Sequence, residues 1–241
     1  MNSIIIKELT KKYGSVVAVN NLNLTIEQGE LFALLGVNGA GKTTTIKVLS
    51  CLIKPTSGDA LLLNDSIVSN PNAIKEKTNI SPQETAVAAN LSVLENLEFI
   101  AGIYGQNSKT AKKKAHEIAQ KFGLENELSK KAKNLSGGMQ RRLSIAMALI
   151  SEPQILFLDE PTLGLDVLVR RELWSSIKSL KGKVTIILTT HYMDEVENLS
   201  DRVGIMAKGQ LTAVGTVTEL TTQTGTSKLE DAFVMLSGGI L

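Results

Sequence analysis

Apolar positions along this chain follow two alternating rhythms. Short apolar runs bounded by turn residues give way to longer stretches in which apolar residues return every three or four positions. The runs Ile4-Ile5-Ile6 and Val16-Val17-Ala18-Val19, and the alternating Leu22, Leu24 and Ile26, read as short strands. Turn signals separate them at Gly14, Asn20-Asn21 and Gln28-Gly29. Leu31 to Leu35 is a continuous apolar run, as expected of a buried strand. Thr44 to Leu52, with apolar Ile46, Val48, Leu49 and Leu52, predicts a helix. A turn over Lys54 to Asp59 precedes a strand at Ala60 to Leu63. A short helix begins near Pro71, and Thr78 to Ile80 is the next strand.

The character then changes. Ser92 to Tyr104 predicts a helix opened by a Ser92-x-x-Glu95 capping box. Lys109 to Phe122 predicts a second, with Ala111, Ala115, Ile118 and Phe122 near one face. A third opens at Leu135-Ser136-Gly137-Gly138-Met139-Gln140 and runs to Ile150. From Gln154 the first rhythm resumes. Strands are predicted at Ile155–Leu158, Val184–Leu188, Val203–Met206 and Gln210–Val214, with helices at Asp166–Leu180, Asp194–Leu199 and Lys228–Leu236. Alternating strands and helices imply an α/β fold with a mainly parallel sheet. The reading is one domain over 1–241. Its core is 1–84 with 151–241, and 85–150 is an inserted all-helical subdomain.

Composition narrows the class. Hydrophobic residues are 43% and charged residues 21% of 241, as in ordinary globular proteins. A net charge of +2 advertises neither nucleic acid nor acidic lipid, and no nucleic-acid partner is expected. Cys51 is the only cysteine, which excludes an internal disulfide or a multi-cysteine metal site, and it reads as an inert buried thiol. Lys112-Lys113-Lys114 and His116 read as a solvated helix face. Ile4 to Ile6 is too short for a signal peptide, and no apolar run approaches the roughly 18 residues of a membrane span. The expectation is a cytoplasmic chain, soluble by itself, whose work at a membrane would come through a partner.

Candidate chemistry centres on Gly36-Val37-Asn38-Gly39-Ala40-Gly41-Lys42-Thr43, which fits the phosphate-binding pattern G-x-x-x-x-G-K-S/T. It lies between a predicted strand and a predicted helix, the setting that motif requires. Its backbone N–H groups and the positive helix end can cradle phosphate oxygens. Lys42 would reach the β- and γ-phosphates and Thr43 would bind Mg²⁺. Downstream, Asp159 ends an apolar strand and can hold Mg²⁺, while Glu160 is placed to orient or deprotonate a water. Ser136-Gly137-Gly138 makes a second anion-binding helix terminus. One nucleotide does not need two such termini from one chain.

Taken with the P-loop, Leu135-Ser136-Gly137-Gly138-Met139-Gln140 resembles the ATP-binding subunit of ABC transporters, and the resemblance covers nearly the whole chain. It implies a P-loop NTPase (RecA-like) core with an antiparallel β subdomain and an inserted helical subdomain. It implies ATP and Mg²⁺ as ligands, with Thr44 completing the P-loop contacts. By the same resemblance, Tyr13 would stack on adenine, and Gln83 would touch Mg²⁺ and sense a membrane partner. Ser136, Gly137 and Gly138 match the signature loop, Leu163-Gly164-Leu165-Asp166 the D-loop, and His191 the switch histidine near the γ-phosphate. Relatives of this kind pair head to tail, so that each ATP lies between one P-loop and the other copy's signature loop. The implied partners are a second copy or a homologous ATPase subunit, and an integral membrane permease. Glu160 to Val167, Leu135 to Arg142 and the Leu229-Glu230-Asp231-Ala232-Phe233 segment look like the bacterial branch with separate membrane subunits, which mostly exports drugs, antibiotics, lipids, polysaccharides or ions. Competing readings are a soluble ABC ATPase acting on DNA or ribosomes, and a binding-only regulatory module. The single cassette, the missing Cys-x-x-Cys hook and the small charge argue against the first. Against the second stands the full set Lys42, Gln83, Ser136, Asp159, Glu160 and His191.

Overall fold

The alternation of side chains along three strands sets the architecture. β3 (Leu31–Leu35), β7 (Ile155–Asp159) and β8 (Thr185–Thr190) are buried at every residue. Successive side chains of a strand point to opposite faces. Leu31, Ala33, Leu35, Leu156, Leu158, Ile186 and Leu188 therefore enter one apolar cluster, while Phe32, Leu34, Ile155, Phe157 and Ile187 enter another. The structure, a computed structural model, describes residues 1–239.

These strands form a six-stranded sheet with β6 (Thr78–Ser81), β9 (Arg202–Ala207) and β10 (Gln210–Gly215), in the order β10-β9-β3-β8-β7-β6. All pairings in it are parallel except β10 with β9. A second, antiparallel sheet of order β2-β1-β4-β5 joins β1 (Asn2–Tyr13), β2 (Val16–Glu27), β4 (Ser57–Leu62) and β5 (Asp65–Ser66). Ile4, Leu9, Ile26 and Leu62 of that sheet share the second cluster with Ile46 and Val48 of α1 (Lys42–Leu49), so the P-loop helix is sandwiched between the sheets. The short α2 (Pro71–Lys77) leads into β6, and between β6 and β7 lie α3 (Val93–Ile103), α4 (Ser108–Lys121) and α5 (Gly137–Leu149). Their apolar residues Val93, Leu97, Ala115 and Leu143 belong to the first cluster, continuous with the parallel sheet.

Parallel register positions the site. Leu35 pairs with Thr190, and Asp159 with Thr189. The segments leaving the carboxyl ends of β3, β7 and β8 therefore emerge side by side, where open α/β sheets bind ligands.

Four local expectations need correction. The first helix ends at Leu49, not Leu52: Cys51 turns the chain at φ +57° and leaves Leu52 exposed. Cys51 is accordingly half-buried instead of buried, though burial still pushes its thiol pKa up and weakens it as a nucleophile. Asn20-Asn21 is not a turn between strands but an irregularity inside the continuous β2. Asn21 takes φ +49°, and register shifts with β1 absorb the extra length. Finally, Val217–Thr224, to which no element was assigned, forms α8, opened by a Thr216–Glu219 capping box. Leu220 is its only buried residue, so it has almost no apolar stripe to read.

Candidate active site

Residues 36–43 bend from β3 into α1, and the bend depends on glycine. Gly41 has φ +103°, and a Cβ there would lie 2.4 Å from the Ala18 carbonyl oxygen. The loop opens on a cleft of about 420 Å³, lined by Asn38 to Thr44 and by Ala18, Gln83, Glu160, Leu163 and His191.

The floor of the cleft is a web of polar side chains. Lys42 is buried, and its Nζ donates to the carbonyls of Gly36 (2.6 Å) and Val37 (3.2 Å). It also pairs with Glu160 Oε1 at 3.2 Å. The other Glu160 oxygen, Oε2, lies 2.8 Å from His191 Nδ1. Asp159 Oδ1 accepts from the hydroxyls of Thr43 (3.0 Å) and Thr189 (2.6 Å). Glu160 holds φ +48°, and its N–H donates to Thr189 Oγ1 at 3.0 Å. A non-glycine residue in this region carries about 1–3 kcal/mol of strain, which aims the carboxylate into the cleft.

Not every candidate residue meets at this cleft. Lys42, Thr43, Thr44, Asn38, Gly39, Ala40, Gly41, Gln83, Glu160 and His191 line it, and Asp159 lies beneath it through Thr43. Gly36 is held below by the bond from Lys42. Tyr13 does not line it; its half-exposed ring is capped by the Lys11 ammonium at 5.1 Å. Ser136, Gly137, Gly138 and Asp166 also lie off it. Ser136 caps α5 through its Oγ, which accepts from Met139 N at 3.3 Å. Asp166 caps α6 (Val167–Lys178), accepting from the N–H groups of Leu168 and Val169 at 3.0 Å. The two caps are neighbours, because a Cβ on Gly138 would meet Val169 Cγ1 at 2.5 Å. Exposed Leu163, Val167 and Leu168 surround the second cap.

Three residues of the site were not among the candidates: Ala18, Thr189, which bonds Asp159 and the Glu160 N–H, and Arg141. Ala18, at the β2 side, forms part of the cleft wall. Arg141 is the largest omission. Its guanidinium is buried and donates to the carbonyls of Asp159 (2.6 Å), Glu160 (3.0 Å), Pro161 (2.8 Å), Gln83 (3.2 Å) and Pro82. It thereby ties the end of β7 to the Gln83 loop. Burial pushes its pKa down, while Asp159, Glu195 and Glu160 oppose that shift. The available signal was its position on α5. Arg141, Ser144, Ile145 and Ala148 recur at helical spacing on a buried face, where an arginine needs partners. Arg141→Ala strands five acceptors and should cost about 3–5 kcal/mol of unfolding free energy. Arg141→Lys should recover little, because an ammonium lacks the planar fork. Urea unfolding checks both.

Fold and cleft together define a nucleotide-binding domain of the P-loop NTPase class. Comparison with known proteins narrows the class. Residues 19–163 match the family model described as ABC transporter. The probable multidrug ABC transporter ATP-binding protein YbhF of Escherichia coli is 40% identical over 236 residues, covering 95% of this chain. This chain spans only 41% of that protein's length. The linearmycin resistance ATP-binding protein LnrL of Bacillus subtilis is 39% identical, covering 91% of this chain and 71% of that protein. Among solved structures, an ATP-binding subunit of an ABC transporter superposes with TM-score 0.87 at 28% identity, covering 97% of this chain and 99% of that one. A dimeric post-hydrolysis cassette, MJ0796 bound to ADP and Pi, gives TM-score 0.81 at 27% identity over 89% of this chain and 98% of that one. The chain belongs to the ABC transporter family, as a member of its ATP-binding component.

Proposed function

We propose that this chain is the ATP-hydrolysing subunit of an ABC exporter, working as a head-to-tail pair on a separate membrane permease. The observation that carries the reading is the division of the site. P-loop, Asp159, Glu160 and His191 converge on one cleft, while the two capped helix termini at Ser136 and Asp166 do not line it. A second copy, or a homologous subunit, presenting Ser136, Gly137, Gly138 and Asp166 to this cleft would complete the phosphate site. The dimeric cassette among the structural relatives supports that arrangement.

Both oxygens of Glu160 are engaged here, one by Lys42 and one by His191. An engaged carboxylate is a poor base. The triphosphate of ATP offers Lys42 a stronger anionic partner, so binding draws the lysine off Glu160 and frees Oε1 for water. His191 then holds Oε2 and fixes the carboxylate's direction. The catalysis asked of these groups is positioning and charge stabilisation.

Thr43, Asp159 and Gln83 are hard oxygen donors, with Thr43 and Asp159 already 3.0 Å apart. No cluster of three or more His, Cys, Asp or Glu side chains able to hold a metal occurs among the described residues. That donor set fits Mg²⁺, which keeps waters and substrate phosphates as its other ligands. When bound, the ion neutralises charge on the β- and γ-phosphates.

No helix among the described residues is long and apolar enough to cross a membrane. Membrane association would come through the permease, on the cytoplasmic face. The Gln83 loop and the helical block are the docking surface in this reading, where α3 and its C-cap expose Phe99, Ile103 and Tyr104 for an apolar partner helix. The multidrug and linearmycin-resistance names of the relatives support export of drug or antibiotic molecules. Substrate choice would reside in the permease. A tagged chain purified from detergent-solubilised membranes of its own host should bring down a polytopic membrane protein. Ribosomal or DNA-bound partners alone would overturn the transport reading.

A further inference from the structure

Behind the cleft lies a carboxyl group to which the mechanism above gives no part. Glu195 sits in the first turn of α7 (Met193–Leu199), four residues after His191, and is fully buried. Its Oε1 accepts from the indole Nε1 of Trp174 on α6 at 3.2 Å. Its Oε2 is buried without a hydrogen-bond partner, and so is the nearby Thr162 Oγ1. Thr162 follows Glu160 by two residues, and Thr190 directly precedes His191. The hydroxyls of both threonines lie beside the Glu195 carboxyl. Thr190 Oγ1 additionally accepts from Tyr192 N at 3.0 Å. A single side chain thus meets the segment behind Glu160, the segment ahead of His191, and the helix that begins at Asp166.

The charges around it are unfavourable to a carboxylate. Glu160, at the end of β7, is of like sign. Arg141 on α5 is a nearby cation, but its guanidinium is committed to backbone carbonyls. On α6, Arg170 lies over the Trp174 ring at 5.7 Å and pairs with Asp194 of α7 at 3.1 Å. No salt bridge reaches Glu195 among the described residues. Burial pushes its pKa up to about 7, with Glu160 adding to the rise and the neighbouring polar groups of Thr190, Thr162 and Trp174 opposing it.

We propose that Glu195 is a positioning residue for the hydrolytic pair: its buried carboxyl, bonded to Trp174 and packed beside the Thr162 and Thr190 hydroxyls, fills the space behind Glu160 and His191 as a neutral acid and so keeps that pair in hydrogen-bond register. The inference rests on the ATPase reading above. Ionisation places a second buried negative charge beside Glu160 with no counterion, and the repulsion pushes the Glu160 carboxylate out of register with His191. Turnover therefore falls as pH rises through neutrality. The same linkage acts on stability. Because the folded-state pKa is raised to about 7, the stability contributed by the neutral group is full below the unfolded value of about 4.3 and is lost as pH rises through about 7.

Trp174 is the only tryptophan in the chain, so its emission reports on Glu195 without any nucleotide. In the full-length protein, emission should titrate with a midpoint of about 7. Glu195→Gln, which keeps an uncharged donor and acceptor, should abolish that titration and the alkaline fall in kcat while holding kcat within about twofold at neutrality. Glu195→Ala should lower kcat about tenfold or more and leave KM for ATP within about twofold, because Glu195 neither lines the P-loop cleft nor makes a hydrogen bond or ion pair with the P-loop. A flat emission profile in the parent, or an identical titration in Glu195→Gln, overturns the proposal. So does a Glu195→Gln variant as slow as Glu195→Ala. Absence of ATP turnover in the parent would count against the ATPase reading alone, since the emission titration still decides the state of Glu195.

Discussion

Glu160→Gln binds ATP as the parent does, loses turnover by about 10²–10⁴-fold, and accumulates as an ATP-bound dimer. The expected result follows from the geometry of its two oxygens. Glutamine keeps the side-chain shape and one acceptor, so the bond to His191 can persist. It cannot take a proton from water. It also removes the Lys42 ion pair, which leaves the lysine free for phosphate. Hydrolysis is then the step that fails, and closure driven by contacts to the γ-phosphate is not reversed. Phosphate release measures the first effect, and size-exclusion chromatography with and without ATP the second. Parental turnover in this variant would remove Glu160 from the role of base.

Lys42→Ala loses both nucleotide binding and turnover. The lysine is buried, and in this structure its charge is balanced by Glu160 and two carbonyls, all within 3.2 Å. Removing it leaves the Glu160 carboxylate bonded only to His191, and takes the cation from the phosphate cradle. A preorganised charge of this kind contributes about 10²–10³-fold or more to the reaction. Binding of a fluorescent ATP analogue and phosphate release read the two losses separately. The fold should survive, because α1 packs through Ile46, Val48 and Leu49, not through the lysine. Unchanged binding would mean that the loop over 36–43 does not cradle phosphate.

Much of this arrangement was legible because it is local in sequence. The P-loop, the strand ending in Asp159-Glu160 and the Ser136-Gly137-Gly138 helix start each carry their chemistry within a few residues. The alternation that predicts a parallel sheet is equally local, and parallel pairing then brings distant strand ends to one edge. Arg141 and Glu195 were not legible in the same way. Each is an ordinary charged residue of a helix until the fold surrounds it, Arg141 with carbonyls from the β7 end and the Gln83 loop, Glu195 with Thr162, Thr190 and Trp174. The misread Asn20-Asn21 shows the converse. Asparagine signals positive φ, and a bulge within a strand uses it as readily as a turn does. Helix α8 was missed because it is held mainly by its capping box and one apolar residue, with no stripe to betray it.

Completion of the cleft by a second chain is the central claim, and cysteine cross-linking tests it most directly. Cys51 is the only native cysteine, so Cys51→Ser provides a cysteine-free background. One chain carries Asn38→Cys at the exposed rim of the cleft, and the other carries Ser136→Cys at the α5 cap. Both also carry Glu160→Gln to hold ATP. Mixed with Mg²⁺ and ATP under mild oxidation, the pair should form a cross-linked heterodimer that is absent without nucleotide. If ATP is bound yet only monomer or nucleotide-independent species form, the head-to-tail composite site is contradicted.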